Sequence, residues 1–342
     1  MTTLALPCLH SRVLSSFDNS ALTPHRWNEL LHCGHTNAVN LTWQWQSNWW
    51  QFFGHGQLML IVVAKANAPV CIAPLFVADG MVFNLCPEDH LDFVGDVSYE
   101  IVAAIIRSAI EHVPDFQGLR LYFIPQSSPT ARCVQDAAEQ FGFTCIKESC
   151  FPSPRLDISA RPEAASMCVR KKSLLRHENY FRREGRLEIN HTSSAEEILP
   201  QLDAFFEQHI ARRAATPNPS LFVDARQRDY YRSIAANIGP TGWLRFTRID
   251  WNNRPIAFHF GACHAGRYLF GIPSFAIELE RRSPGEVLLR QLILAAVEEG
   301  AEVFDFGIGD EAYKYRFATG QEQLITWGIY PRSSRYMPRP PQ

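Results

Sequence analysis

One order of elements occurs twice along this chain, and it restricts the fold more than any single residue does. Two apolar runs joined by a short turn lead to a third run, then a helix, then a buried strand. In the first half these are QLMLIVVAK, PVCIAPLFV, MVFNL, SYEIVAAIIRSAIEHV and LRLYFIP. In the second half they are WLRFTRID, RPIAFHFGACH, RYLFGI, SPGEVLLRQLILAAVEEG and EVFDFG. Apolar runs bounded by Gly, Pro and Asn read as strands, and the longer segments with helical spacing read as helices. Pro69 precedes the helix start at Ser98 by nearly the interval that separates Pro255 from Ser283. The halves share little identity, so the repeat is one of architecture.

A chain of 342 residues suggests about two domains. The expected division is 1–150 and 151–335, with the changeover near Phe151-Pro152. The fold class expected is α/β (α+β), with mixed central sheets flanked by helices. After the changeover, RLDIS leads into one long basic helix that runs through Arg183 and stops at Gly185.

Hydrophobic residues make up 46% of the chain, which supplies a sizeable core. The formal net charge is -2, so no global attraction to polyanions exists and no DNA partner is expected. Nine cysteines occur without a CxxC pair; this pattern reads as free thiols in a reducing compartment, hence the cytoplasm. No Cys/His cluster has ligand spacing, so no metal is expected. The run LMLIVVA is a core strand, too short to span a bilayer. The opening MTTLALPCLHSRVL lacks a basic start and an apolar block, so no signal peptide is expected. The tail MPRPPQ is expected to fray.

Two places carry candidate chemistry. In RRSPGEVLLRQLI, Ser283 suits an N-cap, Pro284 the first helical position, and Glu286 the third residue of a capping box. The amides of Gly285, Glu286 and Val287, with the helix dipole, can hold a phosphate, and Gly285 permits close approach. A capping box alone explains the same residues. The second place is FDFGIGDEAYKYRF, residues 304–317. Strand alternation sets Asp305 opposite Phe304 and Phe306. An acid in such a strand needs a partner or a task. Burial raises a carboxyl pKa, so Asp305 is better placed than Asp310 or Glu311 to accept a proton near neutral pH. Lys314 or Arg316 can neutralise a phosphate or an oxyanion. Asp310 and Glu311 also stand at the right spacing for plain surface pairs with Lys314.

Other features have two readings each. Arg161, Arg170, Lys171, Lys172, Arg176, Arg182, Arg183 and Arg186 form a solvated face, or a platform for a phosphorylated ligand or an RNA end. Trp45, among the tryptophans of WQWQSNWW, lines a sugar or peptide groove or packs in the core. His259 in AFHFG is a core histidine or a site histidine.

The run SPGEVLLRQLILAAVEEGAEVFDFGIGDEAYKYRF resembles the CelD/BcsL-type branch of the GNAT acyltransferase superfamily, which pairs a Ser-Pro-Gly helix start with an FDFGxGDExYKxRF block. WQWQSNWWQFFGHGQLMLIVVAKANAPVCIAPLF is similar to that family's N-terminal segment. The resemblance covers about residues 40–330. It implies tandem GNAT-like domains, similar to the FemABX peptidyltransferases, the first a degenerate copy. It implies an acyltransferase (EC 2.3.1.-), acetyl-CoA or another acyl-CoA as co-substrate, and a small-molecule or saccharide acceptor in polysaccharide or cell-envelope synthesis. Ser283, Gly285, Glu286 and Val287 match the pyrophosphate-binding turn, with one glycine where that turn has two. Tyr313-Lys314 matches a tyrosine-lysine element whose lysine serves the reaction centre. Two alternatives are an aminoacyl-tRNA-dependent peptidyltransferase and a non-catalytic scaffold in a polysaccharide-synthesis complex.

Overall fold

The computed structural model describes residues 9–214 and 216–338. The start of the chain through Cys8 and the tail from Arg339, both read above from sequence, lie outside the described residues. The chain divides into two compact units, Met1–Pro152 with Glu322–Gln342, and Ser153–Gln321.

In the first unit the order is β1 (Leu9–Leu14), α1 (Pro24–Cys33), α2 (Trp43–Phe53), β2 (Gln57–Lys65), β3 (Ala68–Ala78), β4 (Met81–Asn84), β5 (Val94–Gly95), α3 (Tyr99–His112), β6 (Gly118–Pro125), α4 (Pro129–Glu139) and the start of β7 (Thr144–Asp157). In the second it is the end of β7, α5 (Pro162–Val169), α6 (Lys172–Glu184), β8 (Leu187–Thr192), α7 (Ala195–Ile198), α8 (Leu202–Arg213), α9 (Ala225–Ile238), β9 (Leu244–Trp251), β10 (Arg254–His264), β11 (Arg267–Phe275), α10 (Pro284–Glu298), β12 (Val303–Asp305) and α11 (Ala312–Tyr315). The last strand, β13 (Gly320–Tyr330), returns to the first unit.

The repeat in the sequence appears as a repeat in sheet order. The first unit orders its strands β1-β2-β3-β4-β6-β13, and the second β8-β9-β10-β11-β12-β7. Each has one parallel pair, β4 with β6 and β11 with β12, among antiparallel neighbours. A parallel pair needs a crossover, which α3 supplies in one unit and α10 in the other. Each unit has its own core: Ile61, Val63, Ile105, Leu121 and Ile329 belong to the first, and Leu156, Phe181, Leu292 and Phe304 to the second. The tandem α/β architecture expected from sequence is therefore the one observed.

The hairpin turns follow the local chemistry. Ala66-Asn67 joins β2 to β3 and Asn252-Asn253 joins β9 to β10, all four with positive φ. Asparagine tolerates that conformation and matches the twist of a two-residue hairpin. The tryptophans of α2 pack inward, with Trp45 and Trp49 buried.

The changeover between the units falls at Pro152–Ser153, within β7, which runs without a break from Thr144 to Asp157. Two expectations differ from the structure, the single basic helix and the place of the final strand. The basic helix is two helices, α5 and α6, with Lys171 in an extended conformation between them. Arg290 on α10 donates to the Val169 carbonyl, where α5 ends. The final strand follows the second unit in sequence but groups with the first, because it pairs with β6.

Candidate functional site

β11 and β12 run side by side for only three residues, Arg267–Leu269 against Val303–Asp305. β12 then ends, while β11 continues to Phe275. A cleft of about 270 Å³ opens beside the remainder of β11. Phe270, Pro273 and Phe275 of β11, Leu289 of α10 and Phe317 make it largely apolar. Ser283, Gly285 and Glu286 at the head of α10 line it, with Tyr313 and Arg316 from the 304–317 block and Arg212 from α8.

The head of α10 is not the capping box expected. Ser283 sits at φ 57° in the left-handed region and makes no side-chain cap. A side-chain cap needs extended backbone at that residue. The Glu286 and Val287 amides both donate to the Ser283 carbonyl, at 3.0 and 3.3 Å. That leaves the Gly285 amide without a partner among the described residues. Glu286 turns instead to Arg316, at 2.6 Å, and to His177, at 3.5 Å. The crossover helix of the first unit differs: Ser98 accepts from the Ile101 amide and bonds Glu100, so α3 is capped in the ordinary way. Gly285 leaves room for the Phe275 ring, since a Cβ there would lie 3.0 Å from it and press it aside.

Asp305 and Lys314 do not line this cleft. Asp305 is 0% exposed and its partner is Arg267, at 2.7 Å. Its other oxygen accepts from the Ser153 hydroxyl at 3.2 Å and the Gly307 amide at 2.9 Å. Lys314 is 3% exposed. Its ammonium donates to the Gly307 carbonyl at 3.1 Å, the Ile308 carbonyl at 2.8 Å and the Glu311 carboxylate at 2.9 Å. An ammonium has three donors, and all three are used. Together the two residues fold the loop 305–314 onto itself. Gly307 and Gly309 take φ of 70° and 128°, which other residues rarely adopt. Glu311 makes the i,i+3 pair that its spacing allowed, while Asp310 accepts instead from the Tyr315 hydroxyl at 2.8 Å.

The remaining candidates separate cleanly. Burial pushes the half-exposed Tyr313 phenol up to about 12, so it is a neutral hydrogen-bond donor at the cleft. His259 is wholly buried, stacked on Phe270 at 5.6 Å, and burial drives it down to about 3. It is a neutral core residue outside the cleft lining. Val287 is buried in the second core. Trp45 belongs to the first unit, where its indole N–H donates to Glu88 at 2.9 Å. Sequence reasoning missed Arg212, which stacks over Phe275 at 4.3 Å and donates to the Pro273 carbonyl at 2.7 Å. It also missed Phe270 and Phe275, because nothing in the sequence shows where a strand loses its neighbour.

Residues 169–315 match the Acetyltransf_6 family model, described as an acetyltransferase (GNAT) domain. That span holds β11, α10, β12 and the whole wall of the cleft up to Tyr315. Among solved structures, the chain is similar to FemX (TM-score 0.64, 10% identity, 90% of this chain and 96% of that one). It is similar to L-PGS from Bacillus licheniformis (TM-score 0.56, 12% identity, 91% and 92%). It is similar also to a tandem GNAT protein from the clavulanic acid biosynthesis pathway (TM-score 0.53, 14% identity, 94% and 98%). At these identities the likeness is one of fold. No curated protein matched the sequence. Among the described residues, no helix is long and apolar enough to cross a membrane, and no group of three His, Cys, Asp or Glu could hold a metal.

Proposed function

We propose that the protein transfers an acyl group from acyl-CoA, acetyl-CoA in the simplest case, to an amine or hydroxyl acceptor. The observation that carries this reading is the cleft at the parted parallel strands. It joins an apolar floor, an uncapped helix head and a neutral phenol within the span that matches a GNAT domain. The thioester supplies an activated acyl group; the residues of the chain bind and orient it. Phe270, Phe275 and Phe317 suit the apolar part of an acyl arm, and the edge of β11 beyond Leu269, unpaired on that side among the described residues, suits amides in an extended chain. The Gly285 amide and Arg316 suit negative charge at the mouth. Tyr313 donates a hydrogen bond to charge developing on the reacting oxygen or sulfur. Glu286, held by Arg316 and His177, is the carboxylate best placed to take the proton of the acceptor.

In this reading Asp305 and Lys314 are positioning residues. They hold the loop that presents Tyr313 and Arg316. Asp310 and Glu311 serve the same loop. The acceptor is a saccharide or other small molecule of cell-envelope or polysaccharide synthesis, in the manner of the CelD/BcsL-type proteins that the sequence resembles, and the setting is cytoplasmic. A donor of the aminoacyl-tRNA kind is the second reading, supported by the cationic face of α6 and by the likeness to FemX.

The test is release of free thiol from acetyl-, succinyl- and longer acyl-CoA over a panel of amino and hydroxylated sugars. Turnover with any pair, reduced about 10-fold or more by Tyr313→Phe or Glu286→Gln, is expected. A protein whose melting temperature no CoA thioester raises, and which releases no thiol, does not carry out this reaction.

A further inference from the structure

A second cleft, of about 670 Å³, lies on the other side of the turn that leads into α10. Lys172, Arg176 and Arg183 of α6 form one wall, and Arg281 and Arg282 form another. Among the described residues, no Asp or Glu lines it. Lys172 and Arg176 stand four apart on the helix, a like-charge pair that weakens an isolated helix by a few tenths of a kcal/mol. Among the described residues Lys172, Arg176 and Arg281 form no ion pair, in contrast to Arg182 and Arg290, which Glu178 neutralises. Arg282 stacks on the Tyr180 ring at 4.3 Å, an arrangement that a nucleobase can extend. Arg183 pairs with Glu184 at 2.7 Å, outside the lining. A concave surface that gathers these cations, most of them without a carboxylate partner among the described residues, is suited to a ligand with more than one negative charge.

The head of α10 is a poorer place for such a ligand. Two of its amides already donate to Ser283, and the Glu286 carboxylate stands beside them. The two clefts share the turn 280–286, with His177 of the cationic cleft 3.5 Å from Glu286 of the apolar one.

We propose that the cationic cleft binds the phosphates of a nucleotide carrying two or more of them, while the apolar cleft holds the reacting arm. A volume in the usual range for small-molecule sites and a local charge on a chain of net charge -2 favour a nucleotide over a polymer. Two sources have this chemistry: the adenosine phosphates of the donor, and a nucleotide-activated sugar as acceptor. The link between the clefts rests on the acyl-transfer reading; the anion site does not.

The test is calorimetric titration of the full chain with adenosine 3′,5′-bisphosphate, a nucleoside diphosphate sugar, inorganic phosphate and a short single-stranded RNA. Either nucleotide is expected to bind at least about 10-fold more tightly than phosphate, and to weaken linearly with salt on a log–log scale. Arg176→Glu with Arg282→Glu is expected to weaken it at least about 10-fold, with the melting temperature lowered by no more than about 4 °C, since both side chains are exposed and only the Arg282–Tyr180 stack is lost. Competition by acetyl-CoA identifies the donor as the source; its absence identifies the sugar nucleotide. Nucleotide binding without any thioester binding upholds the anion site and removes the acyl-transfer reading. Nucleotides that bind no better than phosphate, binding that ignores the double substitution, or RNA as the one ligand retained, overturns the proposal.

Discussion

Lys314→Met separates a structural lysine from a chemical one. The substitution keeps the length of the side chain, so little cavity forms, but it removes all three donors. The Gly307 and Ile308 carbonyls lose their partner at 3.1 and 2.8 Å. Each carbonyl left without a partner costs about 1–3 kcal/mol, and the first lies in a buried residue. The Glu311 pair adds at most about 1 kcal/mol, because that carboxylate is 57% exposed. The expected loss is therefore about 3 kcal/mol, a large part of the stability of a domain. At about 2–4 °C per kcal/mol for a unit of this size, the melting temperature falls by about 6–12 °C. Urea unfolding followed by tryptophan fluorescence measures the first quantity and calorimetry the second. Activity assayed well below the transition should follow the folded fraction. An unchanged melting temperature with activity abolished would show that Lys314 acts on the substrate, and the positioning role would be wrong.

Four further outcomes are expected. Asp305→Asn leaves Arg267 without its carboxylate; because Arg267 is one-third exposed, the cost is about 1–3 kcal/mol, read as a lower urea midpoint, and no shift in midpoint would contradict the clamp. Ser283→Gly relieves a left-handed non-glycine residue and should raise stability by up to about 1 kcal/mol while altering KM for the thioester more than kcat. Gly309→Ala places a Cβ 2.4 Å from the Glu311 carboxylate at a φ that alanine avoids, and should cost about 1–3 kcal/mol. Burial of neutral His259 moves its pKa from 6.5 to about 3, so the unfolded chain binds the extra proton between those values. Stability is thus full above pH 6.5 and falls as pH drops towards 3, by up to about 1.4 kcal/mol per unit, and His259→Phe should flatten that slope between pH 6.5 and 5.

Much of the fold was legible because its signals are local. Ser98 and Ser283-Pro284 marked helix starts, short turns joined the hairpins and the apolar runs marked the strands, each through preferences that act over a few residues. The repeated order then implied two like units. Gly285, Glu286 and Arg316, singled out in the sequence by their local pattern, and Tyr313, singled out by the resemblance, all line one cleft. The roles of Asp305 and Lys314 were not legible, because a buried charge looks the same in sequence whether it meets a substrate or a partner. Arg267 lies far from Asp305 along the chain, and the carbonyls that hold Lys314 carry no side-chain signature.

The sequence by itself determined where most helices and strands begin and how many times their order repeats, since these depend on periodicity and turn chemistry. The tertiary structure alone decided that β12 stops three residues into its pairing with β11 and so opens the cleft. It alone decided that Ser283 adopts a left-handed conformation, that Glu286 faces Arg316, and that cations from α6 and the turn before α10 face one cavity. Strand pairing and ion pairing join residues distant in the chain, and their energies depend on distance and burial in space rather than on position in sequence.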